Sequence, residues 1–143
     1  MSARGDLPLL ADTSAWARVR HFTEHWEAAI TERRIAICGV IELELLYSAR
    51  TRADVTSLFD GLGTLRRLAI TQSVVDAAVR TVVELAEQGR GGGSHRVSPA
   101  DAIIGACAAA NGCAVLHYDK HYDRLAEVLG FKSLWLAPAG SVS

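Results

Sequence analysis

Acidic residues stand near the ends of predicted strands, or early in the helices that follow, at five positions: Asp12, Glu42, Glu44, Asp101 and Asp119. In a parallel sheet these positions lie toward the carboxyl ends of the strands, where such sheets carry their sites. Carboxylates that meet in a partly dehydrated cleft repel one another strongly unless a divalent cation neutralises them. Oxygen ligands favour Mg²⁺ or Mn²⁺ over Zn²⁺. Such ions activate water and stabilise the charge that develops on a phosphate under attack.

Each acid also has a structural interpretation. Asp12 could cap the helix that follows it, and Asp101 could complement the dipole of its helix. Glu42 and Glu44 lie two residues apart on one helix, about 200° around its axis, so only one of them can face the site. Ser48, one turn after Glu44, is small and leaves room for an ion, whereas leucines follow Glu42 at that spacing. We therefore favour Glu44 as the second acid.

Short apolar runs alternate with helical patterns along the chain. Strands are predicted at 7–11, 35–38, 68–70, 113–117 and 133–136, the last at a sheet edge. Helices are predicted in two pieces between 12 and 30, and then at 40–50, 55–62, 74–86, 98–110 and 122–129. This alternation indicates an α/β fold with a parallel sheet covered on both faces. We expect a single domain over 1–143, with 1–6 and 138–143 as frayed tails.

Composition excludes several classes of protein. The net charge is −1, charged residues make up 22% and there are only three prolines, which excludes a disordered or strongly basic chain. The three cysteines show no zinc-binding spacing and are expected to be reduced thiols. The longest apolar stretch, 102–116, falls short of the roughly 20 residues of a membrane span. We therefore expect a soluble cytoplasmic protein with no membrane association.

Three segments, taken in order, resemble the PIN-domain nucleases, and most closely the VapC-type toxins of bacterial toxin–antitoxin pairs. They are ADTSAW, ELELLYSAR and RVSPADAIIGACAAANGCAVLHYDKHYDRLAEVLG, and the resemblance extends over about 9–136. It implies a PIN-like three-layer α/β/α sandwich with a central parallel sheet of four to five strands. It also implies a metal-dependent endoribonuclease that uses Mg²⁺ or Mn²⁺, a homodimer, and inhibition by a small antitoxin chain.

The resemblance places the catalytic and metal-binding acids at Asp12 in DTS, Glu44 in ELLY, Asp101 in PAD and Asp119 in HYDKHY. Ser14 matches a small hydroxyl residue that supports the first acid, and Tyr122 matches the aromatic residue after the last. Two positions depart from the family pattern. Ser48 replaces the usual glycine, and His117 stands where threonine is common.

A local basic patch is needed if the chain holds RNA, because the chain as a whole is not basic. Thirteen of the fifteen basic residues are arginine, whose forked donors suit phosphate. The segment GRGGGSHR precedes Asp101 without any acid and offers Arg90, His95 and Arg96 as candidates for RNA binding. The alternative is a solvated loop with no such role.

Two other functions fit the same fold. The first is a catalytically silent PIN-like module that binds RNA or a partner. The second is a phosphatase with Asp12 as a covalent nucleophile, which is disfavoured because Ser14 stands where such enzymes carry a second aspartate. Ser14 and Ser98 are better explained as a helix-start residue and a cap, and no histidine is placed as their base, so a nucleophile on the protein is not indicated.

Overall fold

Five parallel strands form the central layer of the computed structural model, which describes residues 7–89 and 97–142. The strands are β1 (Leu9–Ala11), β2 (Ile35–Cys38), β3 (Arg66–Leu68), β4 (Ala114–His117) and β5 (Ser133–Trp135). Their order across the sheet is β3-β2-β1-β4-β5. Leu9 pairs with Ile35 on one side and with Ala114 on the other. The first strand of the chain is therefore the middle strand of the sheet.

Seven α-helices connect and cover the strands of the described chain: α1 (Thr13–Trp16), α2 (Thr23–Thr31), α3 (Gly39–Ser48), α4 (Arg52–Leu62), α5 (Gln72–Gln88), α6 (Pro99–Ala110) and α7 (His121–Leu129). A 3₁₀ turn, Val19–His21, separates α1 from α2, which explains why the first helical pattern is in two pieces. Within residues 7–89 and 97–142, no helix has the length and apolar character needed to cross a membrane.

Side-chain caps fix where four of these helices begin. The side chains of Asp12, Thr51, Thr71 and Ser98 each accept a hydrogen bond from the backbone amide three residues later. Such caps satisfy amides that have no partner inside the helix. Helix α7 ends at Gly130, whose φ of 83° is the left-handed conformation that glycine adopts without strain. Helices α1 and α6 therefore begin, and α7 ends, where the sequence signals predict, whereas α4 and α5 begin two to three residues before the predicted positions 55 and 74.

Alternate residues of the strands pack against helices on opposite faces of the sheet. Leu10 and Ile37 belong to the larger hydrophobic cluster, which includes residues of α3, α5, α6 and α7. Leu9 and Ala11 belong to the smaller cluster, which includes Trp26 of α2. A strand that is buried on both sides presents successive side chains to opposite layers. The predicted three-layer sandwich is confirmed, with five strands.

Strand β3 does not lie where the sequence predicts it. The prediction is 68–70, whereas the strand covers Arg66–Leu68 and pairs Arg66 with Ala36 and Leu68 with Cys38. The prediction is wrong because β3 is an edge strand whose two arginines are exposed. An edge strand of this kind has no continuous apolar run to mark it.

The segment after β5 is tied to the body of the protein, although we expected 138–143 to be frayed. The Tyr118 hydroxyl donates to the Pro138 carbonyl at 3.2 Å and accepts from the Val142 amide at 3.0 Å. A single tyrosine thus holds both ends of this segment. Residues 1–6, the other expected tail, lie outside the described residues.

Candidate active site

Asp12 lies directly after β1, at the carboxyl edge of the sheet, and caps α1. Its Oδ1 accepts hydrogen bonds from the Ser14 hydroxyl at 2.6 Å and from the Ala15 amide at 3.2 Å. Only 3% of Asp12 is exposed. Burial raises the pKa of Asp12 to about 6 against the opposing effect of these hydrogen bonds, and the charge of Asp101 adds to the increase. Asp12 is both a helix cap and a poorly solvated carboxyl group beside a second acid.

Ser14 links Asp12 to the end of strand β4. While its hydroxyl donates to Asp12, it accepts a hydrogen bond from the Tyr118 amide at 2.8 Å. The Arg18 guanidinium lies 4.4 Å from the centre of the Tyr118 ring and donates to the Ser14 carbonyl at 2.9 Å. The carboxyl ends of β1 and β4 are thereby joined through one hydroxyl group.

Asp101 reaches the same edge of the sheet from the first turn of α6. Its amide donates to the capping Ser98 hydroxyl at 3.0 Å, and the buried Tyr122 hydroxyl donates to its Oδ1 at 3.0 Å. Burial raises the pKa of Asp101, the Tyr122 hydrogen bond opposes that increase, and the charges of Asp119 and Glu44 add to it. Asp101 therefore lies within electrostatic reach of acids from two other elements.

Asp119 lies between β4 and α7, beside a histidine. Its Oδ1 accepts the His121 amide at 2.9 Å, and His121 Nδ1 lies 3.2 Å from the same oxygen. One ligand atom from each of Asp101, Asp119 and His121 falls within a group whose members are all within 4.8 Å of one another. Carboxylate and imidazole groups at this spacing fit a divalent cation.

The two glutamates of α3 face different neighbours. Glu44 is exposed, and its Oε1 accepts a hydrogen bond from the Thr13 hydroxyl at 3.0 Å, which places Glu44 beside α1. Glu44 also lies within electrostatic reach of Asp101. Glu42 is buried and paired through both carboxylate oxygens with the Arg67 guanidinium of β3. Hydrogen bonding to Arg67 lowers the pKa of Glu42. Glu44 thus faces the other acids, while Glu42 fastens α3 to the sheet edge.

Comparison with known proteins decides the family to which this arrangement belongs. The family model described as PIN domain matches residues 9–128. The chain belongs to the PIN-domain family. This PIN domain is similar to Ribonuclease VapC18 of Mycobacterium tuberculosis (strain ATCC 25618 / H37Rv), with 37% identity over 134 residues that cover 92% of this chain and 96% of that protein. The family resemblance seen in the sequence motifs is confirmed.

Solved structures show the same fold. The DNA-bound VapBC of Salmonella typhimurium superposes with a TM-score of 0.71 at 18% identity, covering 92% of this PIN domain and 99% of that chain. A toxin–antitoxin complex from Klebsiella pneumoniae superposes with a TM-score of 0.58 at 19% identity, covering 78% and 86% respectively. At these identities the likeness concerns the fold.

Asp101 and Asp119 are the two predicted acids of this PIN domain that lie in the close group with His121, and the other two are coupled electrostatically to Asp101. Asp101 interacts electrostatically with Asp12, Glu44 and Asp119, which come from three other parts of the chain. Ser14 and Tyr122, predicted as supporting residues, donate hydrogen bonds to Asp12 and Asp101 respectively. The three candidates for RNA contact lie outside the described residues: Arg90, His95 and Arg96.

His121 is the site residue that the sequence analysis missed. The histidines look scattered along the sequence, and the expected ligands were oxygen atoms alone. The structure adds the imidazole of His121 to Asp101 and Asp119. The available signal was the position of His121 two residues after Asp119, at the start of α7, since a turn there folds the histidine back onto the acid.

Proposed function

We propose that this PIN domain is a metal-dependent endoribonuclease, the toxin of a toxin–antitoxin pair, which cleaves RNA phosphodiester bonds with Mg²⁺ or Mn²⁺. The observation that carries the proposal is the group of ligand atoms from Asp101, Asp119 and His121, which lie within 4.8 Å of one another. Asp12 and Glu44 lie within electrostatic reach of Asp101. Two of these acids have pKa values raised by burial and by neighbouring negative charge, a cost that a bound dication removes. The ribonuclease name of the relative with 37% identity supports the same reaction.

The proposed ligands divide between a close group and two neighbouring acids. Asp101, Asp119 and His121 would hold the cation, and Asp12 and Glu44 would add negative charge around it. When bound there, the cation would supply the Lewis acidity that activates water and stabilises charge on the phosphate.

The surrounding residues orient the acids. Ser14 and the Ala15 amide hold Oδ1 of Asp12 in one place. Burial and the charges of Asp12 and Asp101 raise the pKa of Tyr122 far above its usual range. The Tyr122 hydroxyl therefore keeps its proton and continues to donate to Asp101 at the pH of the cell.

Cleavage of cellular RNA by the purified chain tests the proposal. We expect discrete fragments in the presence of Mn²⁺ or Mg²⁺ and intact RNA in the presence of EDTA, with the cut positions mapped by sequencing of the new ends. Cleavage that persists in both Asp12→Ala and Asp101→Ala would contradict a site built on these carboxylates.

The catalytically silent PIN-like module is disfavoured, because the complete set of acids is present and the 37%-identical relative is named a ribonuclease. Growth on induction separates the two functions. If the protein is a nuclease toxin, induction of the wild type should stop growth and induction of Asp101→Ala should not. If it is a silent binder, the two forms should affect growth equally.

We also propose a small antitoxin as the partner that restrains this nuclease, and the cytoplasm as its place of action. The VapBC structure from Salmonella typhimurium and the toxin–antitoxin complex from Klebsiella pneumoniae support the partner, since both contain the same fold. The cytoplasm follows from RNA as the substrate.

Glu44→Gln and Glu42→Gln should have different effects, although the two residues are only two positions apart. Glu44→Gln should weaken Mn²⁺ binding about tenfold, because it removes about 1.4 kcal/mol of attraction at a partly exposed site. Glu42→Gln should leave Mn²⁺ binding unchanged and lower stability by about 1 kcal/mol or less, because it weakens the ion pair with Arg67. Isothermal titration and urea unfolding measure the two effects. Weaker Mn²⁺ binding in Glu42→Gln alone would reverse the assignment.

The family resemblance implies a homodimer, and we propose that its contact is the exposed apolar face of α5, covered by a second copy of this chain. Val79 and Val83 are 58% and 52% exposed, and they border an apolar depression of about 270 Å³ between α5 and α6. Val79→Glu should therefore convert a dimer into a monomer in sedimentation equilibrium, because a charge on this face cannot be desolvated without cost. Val55→Glu, at an exposed valine of α4, is the matched control. A Val79→Glu protein that remains dimeric would place the dimer contact elsewhere.

A further inference from the structure

His117 ends strand β4 and is completely buried, two residues before Asp119. Its ring centre lies 5.0 Å from that of Tyr122 and 5.0 Å from that of Trp135. A buried imidazole must find partners for both of its nitrogen atoms. Both ring nitrogens of His117 are therefore expected to take part in hydrogen bonds.

Each hydrogen bond in this network has a fixed direction. The Asp119 amide donates to His117 Nδ1 at 3.1 Å, so Nδ1 carries no proton and Nε2 does. His117 Nε2 then donates to the Ser133 hydroxyl at 2.6 Å, and Ser133 donates to Asp123 Oδ1 at 2.7 Å. The Trp135 indole donates to the other oxygen of Asp123 at 3.0 Å. The chain of donors runs from the Asp119 backbone to the Asp123 carboxylate without a conflict.

We propose that His117 is a positioning residue that holds the Asp119 backbone so that the Asp119 carboxylate is presented to the cation. This inference rests on the proposed function of the site. The His117 side chain accepts a hydrogen bond from the backbone amide of Asp119, two positions later. Short polar side chains build tight turns with the same hydrogen bond. Because Asp119 Oδ1 also accepts the His121 amide, the turn fixes both the backbone and the carboxylate of Asp119.

The second half of the network fixes the ring itself. Ser133 and Asp123 keep the proton on Nε2, so that Nδ1 remains an acceptor. Through this arrangement, the edge strand β5 and helix α7 both contribute to the orientation of a ligand that neither of them carries.

Two substitutions separate positioning from simple packing. Histidine Nδ1 and asparagine Oδ1 are both two bonds from Cβ, so His117→Asn keeps an acceptor within reach of the Asp119 amide while it removes the ring. His117→Phe keeps an aromatic ring between Tyr122 and Trp135 while it removes the acceptor. His25→Phe, at an exposed histidine of α2, is the matched control.

The experiment is Mn²⁺ titration of the full chain, followed by electron paramagnetic resonance, with thermal unfolding measured in parallel. We expect His117→Phe to bind Mn²⁺ about 10- to 100-fold more weakly than the wild type, as for other residues that orient a metal ligand. We expect His117→Asn to recover most of the affinity even if its melting temperature is lower, and His25→Phe to match the wild type. Equal affinity in all four proteins, or equal loss in both His117 variants, would overturn the inference.

A second measurement needs no metal. In long-range ¹⁵N–¹H spectra of the metal-free wild type we expect His117 protonated at Nε2, and the Asp119 amide protected from hydrogen exchange. The protection should be lost in His117→Phe and kept in His117→Asn. A wild type that shows this tautomer and protection but binds no Mn²⁺ would contradict the proposed function, whereas a wild type that binds Mn²⁺ with His117 protonated at Nδ1 would contradict only the positioning role.

Discussion

RNA cleavage should fall about a thousandfold when Asp101 is replaced by asparagine. The amide keeps the size of the side chain and an oxygen that can accept from Tyr122, but it removes the charge on which the other acids converge. The loss of one charged ligand from a cation site costs several kcal/mol of transition-state stabilisation, and each 1.36 kcal/mol is a tenfold change in rate. Single-turnover cleavage of an RNA that carries one mapped site, at saturating Mn²⁺, measures the change.

The matched control for Asp101→Asn is Asp60→Asn, because Asp60 is an exposed aspartate of α4. It should cleave as fast as the wild type. Circular dichroism should show that both variants are folded. If Asp101→Asn retained more than about a tenth of the wild-type rate, Asp101 would not be a ligand of the catalytic cation, and the proposed site would have to exclude it.

The metal-free protein should become more stable when Asp12 is replaced by asparagine. In the folded state the pKa of Asp12 is about 6, against 3.8 for the ordinary group. The folded form therefore binds more protons than the unfolded form between these values, and its stability falls as pH rises from about 4 to about 6. Asparagine has no such proton to lose and caps a helix as well as aspartate does. The expected gain above pH 6 is up to about 3 kcal/mol, from about two units of pKa at 1.36 kcal/mol each.

Urea unfolding in EDTA, at pH values from 3.5 to 7.5, measures this gain. The difference between Asp12→Asn and the wild type should be close to zero at the acid end and largest at pH 7.5. It should shrink or change sign in millimolar Mn²⁺, because the cation binds the folded wild type more tightly than the variant, which lacks the negative charge of Asp12. A difference that does not vary with pH would show that the variant acts through packing and not through the charge of Asp12.

The sequence predicts those parts of the fold and site that depend on local patterns. Helix caps, apolar runs on the central strands and acids at strand ends can all be recognised in the amino-acid sequence, and the structure places these elements close to their predicted positions. The predicted position of β3 differs from the observed one because pairing with β2, and not an apolar run, determines where this strand lies. The burial of Glu42 depends on Arg67, a partner 25 residues away that no local pattern identifies.

The histidines show the same limit at the site. His117 and His121 differ little in the sequence, since both lie two residues from Asp119. In the structure one is buried with its ring beneath the turn, and the other is half-exposed beside the carboxylate. His117 positions Asp119 and His121 lies beside it as a proposed metal ligand. This division of roles depends on the packing of β5 and α7 around the turn. That packing is a property of the assembled sheet.

The central place of β1 has a consequence for how the protein is made. A polypeptide leaving the ribosome exposes Asp12 almost at once, but β1 gains its second neighbour only when residues 114–117 have emerged, as the pairing of Leu9 with Ala114 requires. Asp101 and Asp119 belong to the same late portion of the chain. A chain that stops before residue 101 therefore lacks two of the four acids and cannot assemble the centre.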